Sequence, residues 1–170
     1  YGKSKELGEF FLLNSNRDYL IIRTTIVGFN NYRDKEGFVE WIINSVKMKV
    51  AINLFDDVIF TPISIWDLIS EIVFLVDQDL CNSKVLHISG MEAKTKYEFA
   101  KLLIEELSLN STYIKKGYIS KFSERAKRSN DQSLDSSLYQ AEFNRKLPNL
   151  IETIETIKKK YNYEKRYQNR

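Results

Sequence analysis

The sequence predicts an α/β chain, because β-branched apolar runs alternate along it with stretches whose apolar residues recur at helical spacing. Three segments carry that expectation. Tyr19–Val27 is an almost continuous apolar and β-branched run, the pattern of a strand covered on both faces in a parallel sheet. Phe38, Trp41, Ile42 and Val46 fall at i, i+3, i+4 and i+8, an apolar helical stripe. Thr95-Lys96-Tyr97-Glu98 has the form of a capping box, in which the threonine oxygen and the glutamate each satisfy a backbone N–H at a helix start.

From the front, Gly2–Leu13 places Leu7, Phe10 and Phe11 at helical spacing among Lys3, Lys5, Glu6 and Glu9, which predicts an amphipathic helix ended by Asn14-Ser15-Asn16. Gly28 closes the strand that follows. The second helix is expected over roughly 35–48, with Phe38 and Trp41 as core residues. Ala51–Phe55 is a short strand, and Asp56-Asp57 are read as turn formers because adjacent residues in a turn rarely converge on one site. A helix over 65–76 and a strand over 85–89 come next, with Gly90 breaking the pattern. The capping box introduces Phe99, Leu102, Leu103 and Leu107 on a further helix. Residues 110–133 read as polar and irregular, Asp135 as the cap of a short helix through Phe143, and Leu150–Tyr161 as the last helix.

Composition narrows the function. A chain of 170 residues with 43% hydrophobic and 29% charged residues can bury a core of its own and has the balance of an ordinary globular protein. The apolar stretch 63–76 is interrupted by Asp67, Ser70 and Glu71, so no membrane-spanning helix is expected. The single cysteine, Cys81, excludes an internal disulfide and a cysteine-built metal site, and a reducing cytoplasm is the natural setting. His87, the only histidine, sits in the apolar run Val85–Ile88 and reads as a strand residue, so neither a histidine triad nor a metal constellation is expected. A net charge of +3, with Lys158-Lys159-Lys160 and Lys165-Arg166 gathered in a basic tail, is too small to indicate nucleic acid. None of the six glycines forms a G-x-G-x-x-G loop, so the chain carries no cradle for a pyrophosphate.

Tyr1-Gly2-Lys3-Ser4-Lys5 is a Tyr-x-x-x-Lys motif, and four-residue spacing on a helix puts both side chains on one face. It is followed in order by Leu20-Ile21-Ile22-Arg23-Thr24, Phe38-Val39-Glu40-Trp41, Phe60-Thr61-Pro62-Ile63, Asp67-Leu68, Ile88-Ser89-Gly90, Tyr97-Glu98-Phe99-Ala100, and Arg128 with Ser133-Leu134-Asp135. This series resembles the extended short-chain dehydrogenase/reductase family, and most closely its dTDP-4-dehydrorhamnose reductase branch, from Tyr1 to about residue 149. The resemblance implies the C-terminal part of a Rossmann-type fold with a small mixed α/β substrate-binding subdomain. On that basis residues 1–34 end the Rossmann-type domain, 35–157 hold the substrate-binding portion with returning Rossmann elements, and 158–170 form the tail. The Gly-rich loop and a triad serine or threonine would lie upstream, in roughly 100 or more further residues.

Reduction of a sugar ketone needs an acid to protonate the developing alkoxide while a nicotinamide delivers hydride. A phenol, with an ordinary pKa of about 10, suits this only when a cation favours its phenolate. The resemblance implies Tyr1 as that acid, and Lys5 as the cation and as a ligand of the cofactor's ribose. Thr24 and Thr25, at the end of a strand, are candidates to face the nicotinamide or substrate, and a strand-pairing role suits them equally. Arg128 with Lys127 is a candidate for the substrate's diphosphate, against the plainer reading of a solvated basic loop. The expected cofactor is NAD(P)H, held mainly by the missing front part. The expected partner is a nucleotide-sugar substrate, with a homodimer compatible. An epimerase or dehydratase, a non-catalytic reductase-like binding or regulatory protein, and an inactive fragment are the alternatives.

Overall fold

The computed structural model describes residues 2–30, 35–79, 84–121 and 129–168. Helix α1 (Gly2–Leu13) leads into strand β1 (Leu20–Arg23), and β2 (Ile26–Val27) precedes α2 (Phe38–Lys47). Strands β3 (Ile52–Phe55), β4 (Ile59–Phe60) and β5 (Ile63–Ser64) follow, then α3 (Ile65–Asp77) and β6 (Lys84–His87). The remainder is β7 (Lys94–Thr95), α4 (Lys96–Glu106), β8 (Ile114–Gly117), β9 (Asp131–Gln132), α5 (Ser137–Phe143) and α6 (Leu150–Gln168). The mixed α/β architecture expected from the sequence is present.

The run expected as one strand over 19–27 is two. β1 pairs in parallel with β6, Arg23 opposite His87, whereas β2 pairs in parallel with β5. The change of partner falls at Thr24-Thr25. The Arg23 carbonyl accepts from Ile88 N–H at 3.0 Å, and the Thr25 carbonyl accepts from Ile63 N–H at 3.2 Å, so the backbone passes from one neighbour to the next within two residues. His87 is a strand residue, as expected.

The described residues 110–121 and 129–133 are more regular than their composition suggests. β8 runs parallel to β3 over its full length, with Ile114 and Gly117 buried and Lys115 and Lys116 facing water. Two lysines in four residues hide the apolar signal that a strand normally shows. Asp56 and Asp57 do shape a turn, and they also pin the neighbouring chain: Lys116 Nζ lies 2.7 Å from Asp56 Oδ2, and Asp57 Oδ1 accepts from Ile119 N–H at 3.0 Å. The expected capping box forms, with Glu98 N–H donating to Thr95 Oγ1 at 3.1 Å and Thr95 N–H to Glu98 Oε2 at 2.9 Å. Ser136 occupies the position just before α5 but makes no side-chain cap bond, and it is Asp135, as expected, whose Oδ1 accepts from Ser137 N–H at the helix start at 2.9 Å. The last helix runs past Tyr161, which is buried, to Gln168.

Two cores result. One lies between α2, α4 and α6 and contains Val39, Ile42, Phe60, Phe99, Leu103 and Ile154. Phe38 and Trp41 pack against it, as their spacing predicts. The other joins α3 to β5, β6 and α5 through Ile63, Leu75, Leu86, Ile88, Tyr139 and Leu147. Gly90 sits between them, where a Cβ would stand 2.1 Å from the Pro62 carbonyl oxygen. Backbone cannot yield there as a flexible side chain would, so Gly90→Ala is expected to cost about 3 kcal/mol, near the upper end for overpacking, as a lowered denaturant midpoint with unchanged slope.

Glu71 fastens the second core. Its carboxylate accepts from Tyr139 Oη at 2.7 Å and, through both oxygens, from Arg145 Nε and Nη2 at 2.8 Å. Arg145 also lies over the Phe74 ring, 4.5 Å from its centroid. Burial acts to raise the Glu71 pKa, but the hydrogen bonds from Arg145 and Tyr139 and the Arg145 charge outweigh it, leaving the group below its ordinary 4.5. A depressed folded pKa means that the carboxylate stabilises the fold above pH 4.5 and that this contribution fades as pH falls through the lower folded value. Glu71→Gln is therefore expected to lose about 2 kcal/mol at pH 7, because Arg145 keeps part of its solvation, with the difference from wild type shrinking below pH 4 in chemical denaturation.

Helix α1 takes the expected bounds but not the expected burial. Leu7, Phe10 and Phe11 are 53%, 57% and 66% exposed, and no residue of the helix is buried. Among the described residues β1 has a strand partner on one edge alone, β6, so no sheet surface extends beneath the apolar stripe of α1.

Candidate functional site at the end of the first strand

The chain converges on the C-terminal end of β1, where a parallel sheet offers ligands its strand ends and following loops. Thr24 and Thr25 have different roles there. Thr25 Oγ1 donates to the Thr61 carbonyl, so its hydroxyl is committed to holding the β4–β5 turn. Thr24 Oγ1 is buried and has no hydrogen-bond partner among the described residues. A buried hydroxyl without a partner costs about 1–3 kcal/mol, which marks Thr24 as the threonine with hydrogen-bonding capacity left for another group.

Segment 133–136 is stitched to the same place. Thr61 Oγ1 accepts from Leu134 N–H at 3.1 Å, and Ser136 Oγ accepts from Ser89 N–H at 3.1 Å. Gly90 N–H donates to the Thr61 carbonyl at 3.2 Å, closing the end of β6 against the same turn. Thr61, Ser89 and Ser136 are buried polar residues: Thr61 is bonded by the Thr25 hydroxyl and by backbone, and Ser89 and Ser136 by each other and by backbone. The sequence offers a signal for them in Thr61-Pro62 and Ser89-Gly90, where a hydroxyl precedes a residue that restricts or frees the backbone, but it does not show that these dipeptides meet.

Lys5 lies on the exposed helix α1. Glu9, one turn further along, meets Arg23 at the end of β1, with Arg23 Nε 2.9 Å from Glu9 Oε1 and Nη2 2.5 Å from Oε2. The side chain of Arg23 therefore joins the helix of Lys5 to the strand that ends just before Thr24. Tyr1, Lys127, Arg128 and Cys81 lie outside the described residues. Among the described residues no group of three or more His, Cys, Asp or Glu side chains could hold a metal ion, and no helix is long and apolar enough to cross a membrane.

The family described as the RmlD substrate binding domain matches residues 1–163. The chain belongs to that family. It is 24% identical over 159 residues to a probable low-salt glycan biosynthesis reductase of Haloferax volcanii, a match covering 92% of this chain and 52% of the relative. The fold superposes on the NADP complex of a dTDP-4-dehydrorhamnose reductase from Bacillus anthracis with a TM-score of 0.81 at 23% identity, covering 92% of this chain and 54% of that one. A hypothetical dTDP-4-dehydrorhamnose reductase from Sulfolobus tokodaii gives a TM-score of 0.67 at 31% identity, covering 83% and 47%. This RmlD-family chain thus has the fold of the C-terminal part of Rossmann-type reductases, and it spans about half the length of the relatives it matches.

Proposed function

We propose that this chain is the acid-bearing and substrate-binding part of an NAD(P)-dependent reductase of a nucleotide-activated 4-keto sugar, of the dTDP-4-dehydrorhamnose type, acting in the cytoplasm. Residues 1–34 would complete a cofactor-binding domain and residues 35–157 the substrate side. The observation that supports this most is the Thr24 hydroxyl, buried and without a hydrogen-bond partner among the described residues, at the end of β1, the strand to which the helix of Lys5 is tied. The relatives' names point the same way, one of them being a reductase of glycan biosynthesis.

A reduced nicotinamide, when bound, supplies the hydride. The chain's own residues handle the proton and the positioning. Tyr1 gives its phenolic proton to the alkoxide oxygen that forms at the sugar carbon, and Lys5, four residues on, stabilises the phenolate left behind. The Lys5 ammonium and the Thr24 hydroxyl are the groups of this chain that would hold the cofactor, through its ribose and its nicotinamide end. Arg128 and Lys127 would take the substrate's diphosphate. The bonds from Leu134 and Ser136 to Thr61 and Ser89 support that assignment, because they anchor the chain just beyond residue 128 to the same strand ends.

The test is to express the chain with its dinucleotide-binding half and supply NADPH and a dTDP-4-keto-6-deoxy sugar. One NADPH oxidised per sugar reduced is the expected stoichiometry. A protein that binds neither compound would refute the assignment.

A further inference from the structure

We propose that Glu9 and Arg23 form a positioning clamp that fixes the rotation of helix α1 about its axis, and with it the direction of Lys5; this role rests on the reductase function proposed above. Glu9 follows Lys5 by four residues, so helical spacing puts the two on one face. A bond made by Glu9 therefore reports on, and constrains, the way that face points.

The bond has the geometry for this. Arg23 reaches both oxygens of Glu9, at 2.9 and 2.5 Å, and a planar fork meeting a carboxylate at two points fixes orientation as well as distance. Arg23 is itself held: its carbonyl accepts from Ile88 N–H at 3.0 Å, and its Nη1 lies 3.4 Å from Nε2 of His87, its register partner on β6. The clamp thus runs from helix to strand to neighbouring strand, and its middle residue, Arg23, immediately precedes Thr24. Packing does not do the same work among the described residues, since α1 buries no side chain there. The Arg23 hydrogen bond holds the Glu9 carboxyl below its usual range, and Glu9 raises Arg23 in return, so both remain charged across the working pH range. An exposed ion pair contributes little to stability. Its expected effect is on where Lys5 points.

The experiment uses the full-length protein with Glu9→Gln, Arg23→Gln, the double variant and Arg23→Lys. Amide hydrogen exchange of residues 2–13 is measured alongside kcat, KM and the pH profile of kcat. Each single glutamine variant is expected to quicken exchange in α1 and to lower kcat about ten- to a hundredfold with KM within about twofold. The double variant is expected to be no worse than either single one, as for two halves of one device. The alkaline limb of the profile, where the acid loses its proton, is expected to move to higher pH because a misdirected Lys5 no longer favours the Tyr1 phenolate. Arg23→Lys, which keeps the charge without the fork, is expected to fall between wild type and Arg23→Gln. Variants with wild-type exchange, kcat and profile would overturn the clamp, and so would losses of activity that only track the folded fraction. If the wild-type protein reduces no 4-keto sugar, the reductase assignment fails, while exchange in α1 still decides whether the clamp exists.

Discussion

Replacing Tyr1 with phenylalanine in the full-length protein is expected to lower kcat for reduction of a nucleotide 4-keto sugar by about two to four orders of magnitude, with NADPH affinity nearly unchanged. The ring is kept and one hydroxyl is removed, so the loss measures proton donation and not packing. Water can protonate the alkoxide in its place, but without the orientation that makes a bound acid efficient. Steady-state kinetics with stopped-flow NADPH binding separates the two effects. A variant that retains wild-type kcat would place the acid elsewhere in the protein.

The second large effect concerns solution behaviour. The 170-residue chain on its own is expected to self-associate through α1, and Phe10→Glu with Phe11→Lys to abolish this. Five large apolar residues of this helix, Leu7 and Phe10 through Leu13, are each about half or more exposed. Complete burial of such a side chain contributes about 1.5–3 kcal/mol, and the part still open here contributes about half of that for each residue before association costs. Weak dimers or larger species at about 100 μM are the expected outcome in sedimentation velocity. With the proposed dinucleotide-binding half attached, the same face is expected to be covered and the association lost. A wild-type chain that stays monomeric at millimolar concentration would show that the stripe tolerates water.

Where periodicity was strong and the partners local, the sequence was sufficient. α2, α3 and α4 carry apolar stripes three or four residues apart, and the Thr95–Glu98 box supplies its own cap, so these elements form where expected. The two-residue strands β4, β5, β7 and β9 are too short for any period to register, and they are set by bonds to segments far away in sequence, such as Ile59 N–H to the Asn130 carbonyl at 2.8 Å. The break at Thr24-Thr25 is of the same kind: both residues suit a strand, and the switch from β6 to β5 exists only once those strands are in place. For the site, Lys5 is legible through the Tyr-x-x-x-Lys motif together with the family resemblance of its surroundings, and Thr24 and Thr25 through their place at a strand end. What separates the two threonines is the carbonyl of Thr61, 36 residues away, which no local pattern announces. Glu9 and Arg23 were within reach of sequence reasoning, one a helical turn after Lys5 and the other adjacent to Thr24, yet their meeting depends on how α1 folds back along β1. Glu71 carried the opposite signal: a charge in an apolar stretch argued only against a membrane helix, whereas its role is to bind Tyr139 and Arg145 inside the second core.

The most direct measurement for the central claim is isotope tracing with 4-deuterated NADPH and a dTDP-4-keto-6-deoxy sugar, using the chain joined to its dinucleotide-binding half and reading the product by NMR. A reductase that uses this chain as proposed places one deuterium on C4 of the sugar and leaves an equivalent of NADP⁺. A product altered at another carbon, with no deuterium gained and no net NADPH consumed, would contradict it and indicate a dehydratase or epimerase.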